Sequence, residues 1–272
     1  MDVRPLRWLA TLAAALLLAV ALLWLAQRRL LYFPERTDRA SAEARARRLG
    51  LEPWLDGEEL LGWRARHPAG AARGRLLVLH GNAGSALDRT YFVAAFRSAA
   101  PAMPLDVYLV EYPGYGPRGG APSEERLVAS ARQAIAAARR EGAGPIFLAG
   151  ESLGGAVAAL AAAAAPSEVD GLLLVTPLSS VPAVARRHYF ALPEAFYRDA
   201  YRADAALPGY GGPVAFLVAG RDEVVFPDLS RALHDRHPGP KRLWEDPPAG
   251  HNTLSWDPAL PRWREIVEHL AR

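Results

Sequence analysis

The sequence predicts an α/β fold: a mostly parallel central sheet with helices on both faces, preceded by an N-terminal transmembrane helix. Three observations predict it. Short, largely apolar runs recur at 75–80, 106–112, 145–149, 171–176 and 213–219; strands without polar alternation are those buried on both faces, as in parallel sheets. Helical patterns fill the intervals between them, as parallel crossovers require. Ahead of all of these stands a long uncharged stretch, Trp8 to Ala26.

That stretch is the first element. It is mostly Leu and Ala, and as a helix it rises roughly 28 Å, close to the hydrocarbon thickness of a bilayer. Trp8 and Trp24 fall near its ends, where interfacial aromatics sit. The rival reading is a cleaved signal peptide: Arg4 and Arg7 precede the run, and Ala19-Val20-Ala21 mimics a cleavage site. That site lies inside the run, with Leu22-Leu23-Trp24-Leu25 continuing past it, which favours an uncleaved single-pass anchor. Arg28, Arg29, Arg36 and Arg39 follow the span. The basic residues are divided too evenly to assign the side of the membrane on which the rest of the chain lies. Thr37 to Leu49 carries several Arg in a helical pattern, either resting on anionic headgroups or exposed to water.

The remaining elements follow in order. Glu59–Arg66 reads as an amphipathic strand after a turn at Asp56-Gly57, and Arg75–His80 as a buried strand. Ser85, with Asp88 three positions on, has the capping-box pattern that opens a helix. Asp106–Tyr112 is a strand ended by Pro113-Gly114-Tyr115-Gly116. Ser123 caps a helix to about Arg140, with Glu124 and Glu125 at its positive end. Pro145–Ala149 is the strand before Gly150-Glu151-Ser152-Leu153-Gly154-Gly155, and an Ala-rich helix follows at once. Gly171–Thr176, Pro213–Ala219 and Lys241–Glu245 complete the strands. Val181 to Leu207 is longer than a crossover needs and holds Tyr189, Phe190, Phe196, Tyr197 and Tyr201. It is either a small lid or one ordinary crossover helix.

Composition excludes several function classes. An apolar content of 51% is ample for a core and argues against disorder. The net charge is only +3, and the basic residues are scattered Arg with Lys241 the single Lys; no basic, aromatic-interleaved stripe suits nucleic acid. The absence of Cys excludes disulfides, thiolate catalysis and Cys-ligated metals.

The chemistry is expected around Ser152. A serine on a tight strand-to-helix turn projects its hydroxyl at the top of the sheet, and the helix start directs free N–H groups toward negative charge. A lone serine is unreactive, so a base and an acid are needed. Ligand sites in parallel sheets gather at the carboxyl ends of strands, and the strand Pro213–Ala219 ends in Gly220-Arg221-Asp222-Glu223. Asp222, the first acid after the strand, is preferred as the partner of a histidine, with Glu223 the alternative. Of seven His, His251 gives the chain order Ser, Asp, His that suits this architecture. His234 and His237 suggest a metal pair but lack a third ligand. The loop His80-Gly81-Asn82-Ala83-Gly84 falls where an oxyanion site belongs, with the N–H groups of Asn82 and Leu153 as its donors.

Together, His80–Gly84, Glu111-Tyr112-Pro113-Gly114-Tyr115-Gly116, Gly150–Gly155, Asp222 and Gly250-His251-Asn252 resemble the α/β-hydrolase superfamily. More narrowly they are similar to the small membrane-anchored serine hydrolases that include depalmitoylases and lysophospholipases. Leu31-Tyr32-Phe33-Pro34 after an apolar span fits that branch; Glu111, where relatives often have Asp, departs from it. The resemblance implies a hydrolase without metal or cofactor that cleaves an ester or thioester, on a small-molecule or lipid substrate. Ser152, Asp222 and His251 match its nucleophile, acid and base. The expected division is an anchor over 1–30, a juxtamembrane linker over 31–50 and a catalytic domain over 51–272. A peptidase on the same fold and a non-catalytic tethered binding protein are the alternatives.

Overall fold

The computed structural model describes residues 4–68, 72–99, 103–189 and 191–272; Phe190 of the long aromatic connection lies outside these. In chain order the first elements are α1 (Arg4–Leu31), β1 (Phe33–Pro34), α2 (Arg39–Arg48), β2 (Glu52–Asp56), β3 (Glu59–Ala65), β4 (Gly74–Leu79) and β5 (Ala83–Gly84). There follow α3 (Thr90–Ser98), β6 (Leu105–Val110), α4 (Glu124–Arg140), β7 (Ile146–Glu151), α5 (Leu153–Ala164), β8 (Gly171–Val175) and α6 (Val181–His188). The chain closes with α7 (Ala203–Ala206), β9 (Val214–Ala219), α8 (Pro227–Arg236), β10 (Lys241–Asp246) and α9 (Arg262–Leu270).

The main sheet has the strand order β10-β9-β8-β7-β4-β6-β3-β2. Every pairing from β10 to β6 is parallel, and β3 joins β6 and β2 antiparallel. The mostly parallel sheet expected from the apolar runs is therefore observed. Period-2 alternation sends neighbouring residues of one strand to opposite faces. Leu77, Leu148, Leu174 and Phe216 pack with α4 and α5 in one core. Leu76, Ala149, Leu173 and Leu217 pack with α3 and α9 in the other.

The chain leaves β4 to one side for β6, then crosses to the other side for β7. Neighbouring loops diverge at such a switch, opening a crevice at the carboxyl ends of the strands. The turns after β4 and β7 border it.

β2 has no counterpart in the sequence reading, because Glu-Pro-Trp-Leu-Asp shows no alternation and carries a proline. Residues 31–50 are more than a linker. Tyr32 is buried, β1 pairs with β5, and α2 buries Ala42 and Ala46 against the body. Within α1, Arg7–Leu31 is long and apolar enough to cross a membrane, and Leu9, Leu12, Leu16 and Leu17 are exposed.

Candidate active site

Ser152 stands between the end of β7 and the first turn of α5, at φ +54° and ψ −116°. A non-glycine residue with positive φ and such ψ stores strain of about 1–3 kcal/mol. The neighbours hold it there. Its N–H donates to Val175 O at 2.9 Å, and its carbonyl accepts from Gly155 N and Leu178 N, each at 3.0 Å. Two glycines make the turn sterically possible. A Cβ on Gly150 would lie 2.3 Å from Gly154 O, and one on Gly154 would lie 2.0 Å from Leu79 O. Helix α5 thereby sits directly on the ends of β4 and β7.

Three sequence-predicted side chains meet here. His251, in the loop after β10, has Nε2 3.0 Å from Ser152 Oγ. Its Nδ1 lies 2.7 Å from Asp222 Oδ2. With a carboxylate as acceptor, Nδ1–H donates to Asp222, which leaves the Nε2 lone pair to accept from the serine hydroxyl. Asp222 is buried, and its other oxygen accepts from Val224 N and Val225 N, each at 2.8 Å. Both oxygens are thus fixed, which in turn fixes the imidazole plane. Glu223 is exposed and makes no such contact. The His251 loop is pinned to the Asp222 loop by Arg221 N donating to Ala249 O at 2.8 Å.

The loop after β4 lies next to this row. Gly81 packs 3.7 Å from the Ser152 Cβ, measured from the place its own Cβ would take. Asn82 anchors the loop: its carbonyl accepts from Phe33 N at 2.9 Å and Tyr115 OH at 2.7 Å, and its Nδ2 donates to Leu31 O at 2.8 Å. His80 is fully buried, with Nδ1–H donating to Gly81 O at 2.8 Å and Nε2 3.4 Å from Glu111 Oε1. Glu111 is also buried and accepts from Ala86 N at 3.1 Å. The expected capping box at Ser85 and Asp88 is present, and Arg45 of α2 reaches Asp88 at 2.5 Å. Leu153 is the first residue of α5, so its N–H has no carbonyl one turn behind it.

Sequence reasoning missed one group. Glu151, directly before the serine, accepts from Arg89 Nε at 2.7 Å and Tyr91 OH at 2.9 Å. Arg89 also donates to Ala83 O at 3.1 Å, so one guanidinium joins the elbow to the loop after β4. Burial, then the Glu151 charge, push the Tyr91 phenol up, keeping it a donor. Nothing local in the sequence marks this trio, which is assembled from β7, the turn just before α3 and the first turn of α3. Of the two histidines considered as a metal pair, His234 has Nδ1 2.9 Å from Asp235, and His237 Nε2–H donates to Gly212 O at 2.9 Å.

Comparisons with known proteins agree with this fold. The model of the alpha/beta hydrolase family matches residues 76–272, the span from β4 to the end. An uncharacterized protein of Mycobacterium tuberculosis is 32% identical over all of this chain and 96% of its own length. Human alpha/beta hydrolase domain-containing protein 17C is 28% identical over 74% of this chain and 60% of its own. Among solved structures, Est1E from Butyrivibrio proteoclasticus aligns with a TM-score of 0.64 at 16% identity, covering 82% of this chain and all of that one. A monoacylglycerol lipase of Paleococcus ferrophilus aligns at 0.55 and 21% identity, covering 76% and 96%. The strand order, the strained turn after β7 and the matched family model converge: the chain belongs to the α/β-hydrolase family.

Proposed function

We propose that this hydrolase is a serine hydrolase that cleaves carboxylic esters or thioesters through an acyl-enzyme. The observation that carries the reading is the continuous row from Asp222 through His251 to Ser152. As Ser152 Oγ attacks the carbonyl carbon, its proton passes to His251 Nε2, and Asp222 stabilises the imidazolium. The carbonyl oxygen becomes an oxyanion that accepts from the N–H groups of Asn82 and Leu153, a contribution of about 3 kcal/mol per donor. Collapse breaks the ester or thioester bond, and the leaving oxygen or sulfur takes the proton from His251. Water then gives a proton to His251 and attacks the acyl carbon, releasing the acid and restoring the serine.

We assign the substrate to the acyl-lipid class and α1 to a single-pass membrane anchor. The long exposed apolar face of α1 and its length support the anchor. An enzyme held at a bilayer meets acyl chains at high local concentration.

The test is fluorophosphonate labelling of the full chain beside Ser152→Ala, with kcat/KM measured on ester, thioester and peptide substrates. The parent should label and cleave esters or thioesters. Ser152→Ala should lose labelling and at least about 10³-fold in kcat, in line with loss of a nucleophile in related chemistry. Equal labelling of both chains removes Ser152 as the nucleophile. Cleavage confined to peptides reassigns the reaction.

A further inference from the structure

An apolar cavity of about 540 Å³ lies between α1 and the segment after β8. Leu23, Leu30 and Leu31 form one wall, and Val181, Ala185 and Phe196 form the other. Its volume falls within the roughly 300–1,000 Å³ of small-molecule sites. The polar groups at its edge are already engaged. Gln27 Nε2 donates to Phe196 O at 2.8 Å and its Oε1 accepts from Arg198 N at 2.9 Å. Asp199 accepts from Arg28 at 2.8 and 3.0 Å and from Glu124 N at 3.0 Å. The Tyr197 hydroxyl is the one buried lining donor without a partner among the described residues. A water-filled role suits such a lining poorly; an apolar occupant suits it well.

Position narrows the occupant. One end of the cavity is Leu31, whose carbonyl accepts from Asn82 of the loop beside Ser152. The opposite wall begins at Val181, three residues after Leu178, whose N–H donates to the Ser152 carbonyl. The other end is Leu23, inside the apolar stretch of α1. One end of the cavity is thus tied by a hydrogen bond to the loop beside Ser152, and its other end reaches a residue of the apolar stretch of α1.

We propose that this cavity is an acyl-chain site, walled on one side by the membrane helix itself. It takes a long saturated acyl chain whose ester or thioester carbonyl reaches Ser152 while the chain remains continuous with the lipid phase. The proposal rests on the serine-hydrolase reading above and adds where the chain lies. It also gives α1 a second role, since besides tethering the enzyme α1 forms half of the site that selects chain length. Ser152 chemistry is unaltered by the proposal; only the ratio between long and short chains depends on the cavity.

The experiment uses the full chain in phosphatidylcholine vesicles. It compares kcat/KM for hexadecanoyl and butanoyl 4-methylumbelliferyl esters in the parent, Leu30→Trp and Ala185→Trp. Leu30 is largely exposed, so a tryptophan there enters the groove without overpacking the core. The long-to-short ratio should fall at least 10-fold in both variants, and Leu55→Trp on the far edge strand should keep the parent ratio. Photocrosslinking with a diazirine hexadecanoic acid gives a second readout that no folding defect mimics. Adducts on 23–31 and 181–197 support the site; adducts confined to 8–22 overturn it. Full fluorophosphonate labelling with an unchanged ratio overturns the cavity while leaving the serine hydrolase intact. A parent that neither labels nor cleaves either ester overturns both. A hexadecanoyl-thioester peptide run beside hexadecanoyl glycerol then separates acylated protein from lipid as the source of the chain.

Discussion

Ser152 holds its positive φ because its own N–H, its carbonyl and both flanking glycines are committed to packing β7, β4 and α5 together. Gly154 is the tightest of these contacts, since a methyl group there meets the Leu79 carbonyl, which cannot leave β4 without breaking the sheet. Gly154→Ala should therefore lose about 3 kcal/mol or more, the upper range of overpacking, read as a lowered thermal midpoint in detergent. A variant as stable as the parent would mean that the elbow relaxes more freely than its contacts imply. At this scale the sequence was informative where chemistry sits at strand ends. Ser152 and Asp222 each follow an apolar run and His251 follows the last strand of the sheet, so the strand ends gather them. Arg89, Tyr91 and Glu151 were not legible, because their meeting depends on side-chain reach between elements and leaves no spacing to read.

Among the elements, the segment after β8 shows what periodicity conveys and what it omits. Its aromatics announced a lid or a crossover. In the structure the segment is more than one crossover helix: it holds α6, a short helical turn at Glu194–Phe196 and α7, clamped to α1 by Arg28 on Asp199 and to α4 by Glu124. Arg198 also stacks over Trp24, its guanidinium carbon 4.5 Å from the ring centroid. Asp199→Ala removes the buried acceptor for Arg28 and for the Glu124 N–H. It should cost about 2–3 kcal/mol, less than a fully buried pair because Arg28 keeps contact with solvent. Trypsin should also cut faster after Arg198, and an unaltered cutting rate would show that the clamp does not hold the segment. β4 and β6 to β9 were readable because burial on both faces makes them apolar over most of their length. β1 and β5 are two residues each, too short for any period. Helix α2 read as a linker because alanines pack closely while contributing little hydrophobic pattern.

At the scale of the whole molecule, two histidines remote from the candidate site tie stability to acidity. Burial, as the largest cause, lowers both His237 and His269. The Nδ1 of His237 is buried without a hydrogen-bond partner, and burial disfavours a charged ring there. Since the folded values are depressed, the unfolded chain binds these protons more readily. Their contribution is whole above the ordinary histidine value and is lost as pH falls from about 6.5 through the folded values. Thermal midpoints measured from pH 8 down to pH 5 should decline. His237→Gln, which keeps a donor for Gly212, should shallow that decline; an equally steep curve would place the acid sensitivity elsewhere. One pairing carries a different consequence. Because Asn82 reaches back to the last carbonyl of α1, and Tyr32 shares a hydrogen bond with Tyr201 at 2.8 Å, the N-terminal helix is no detachable handle. Trimming the chain to a convenient soluble fragment would strip scaffolding from the loop beside the nucleophile, so an assay on such a fragment would report on a different machine.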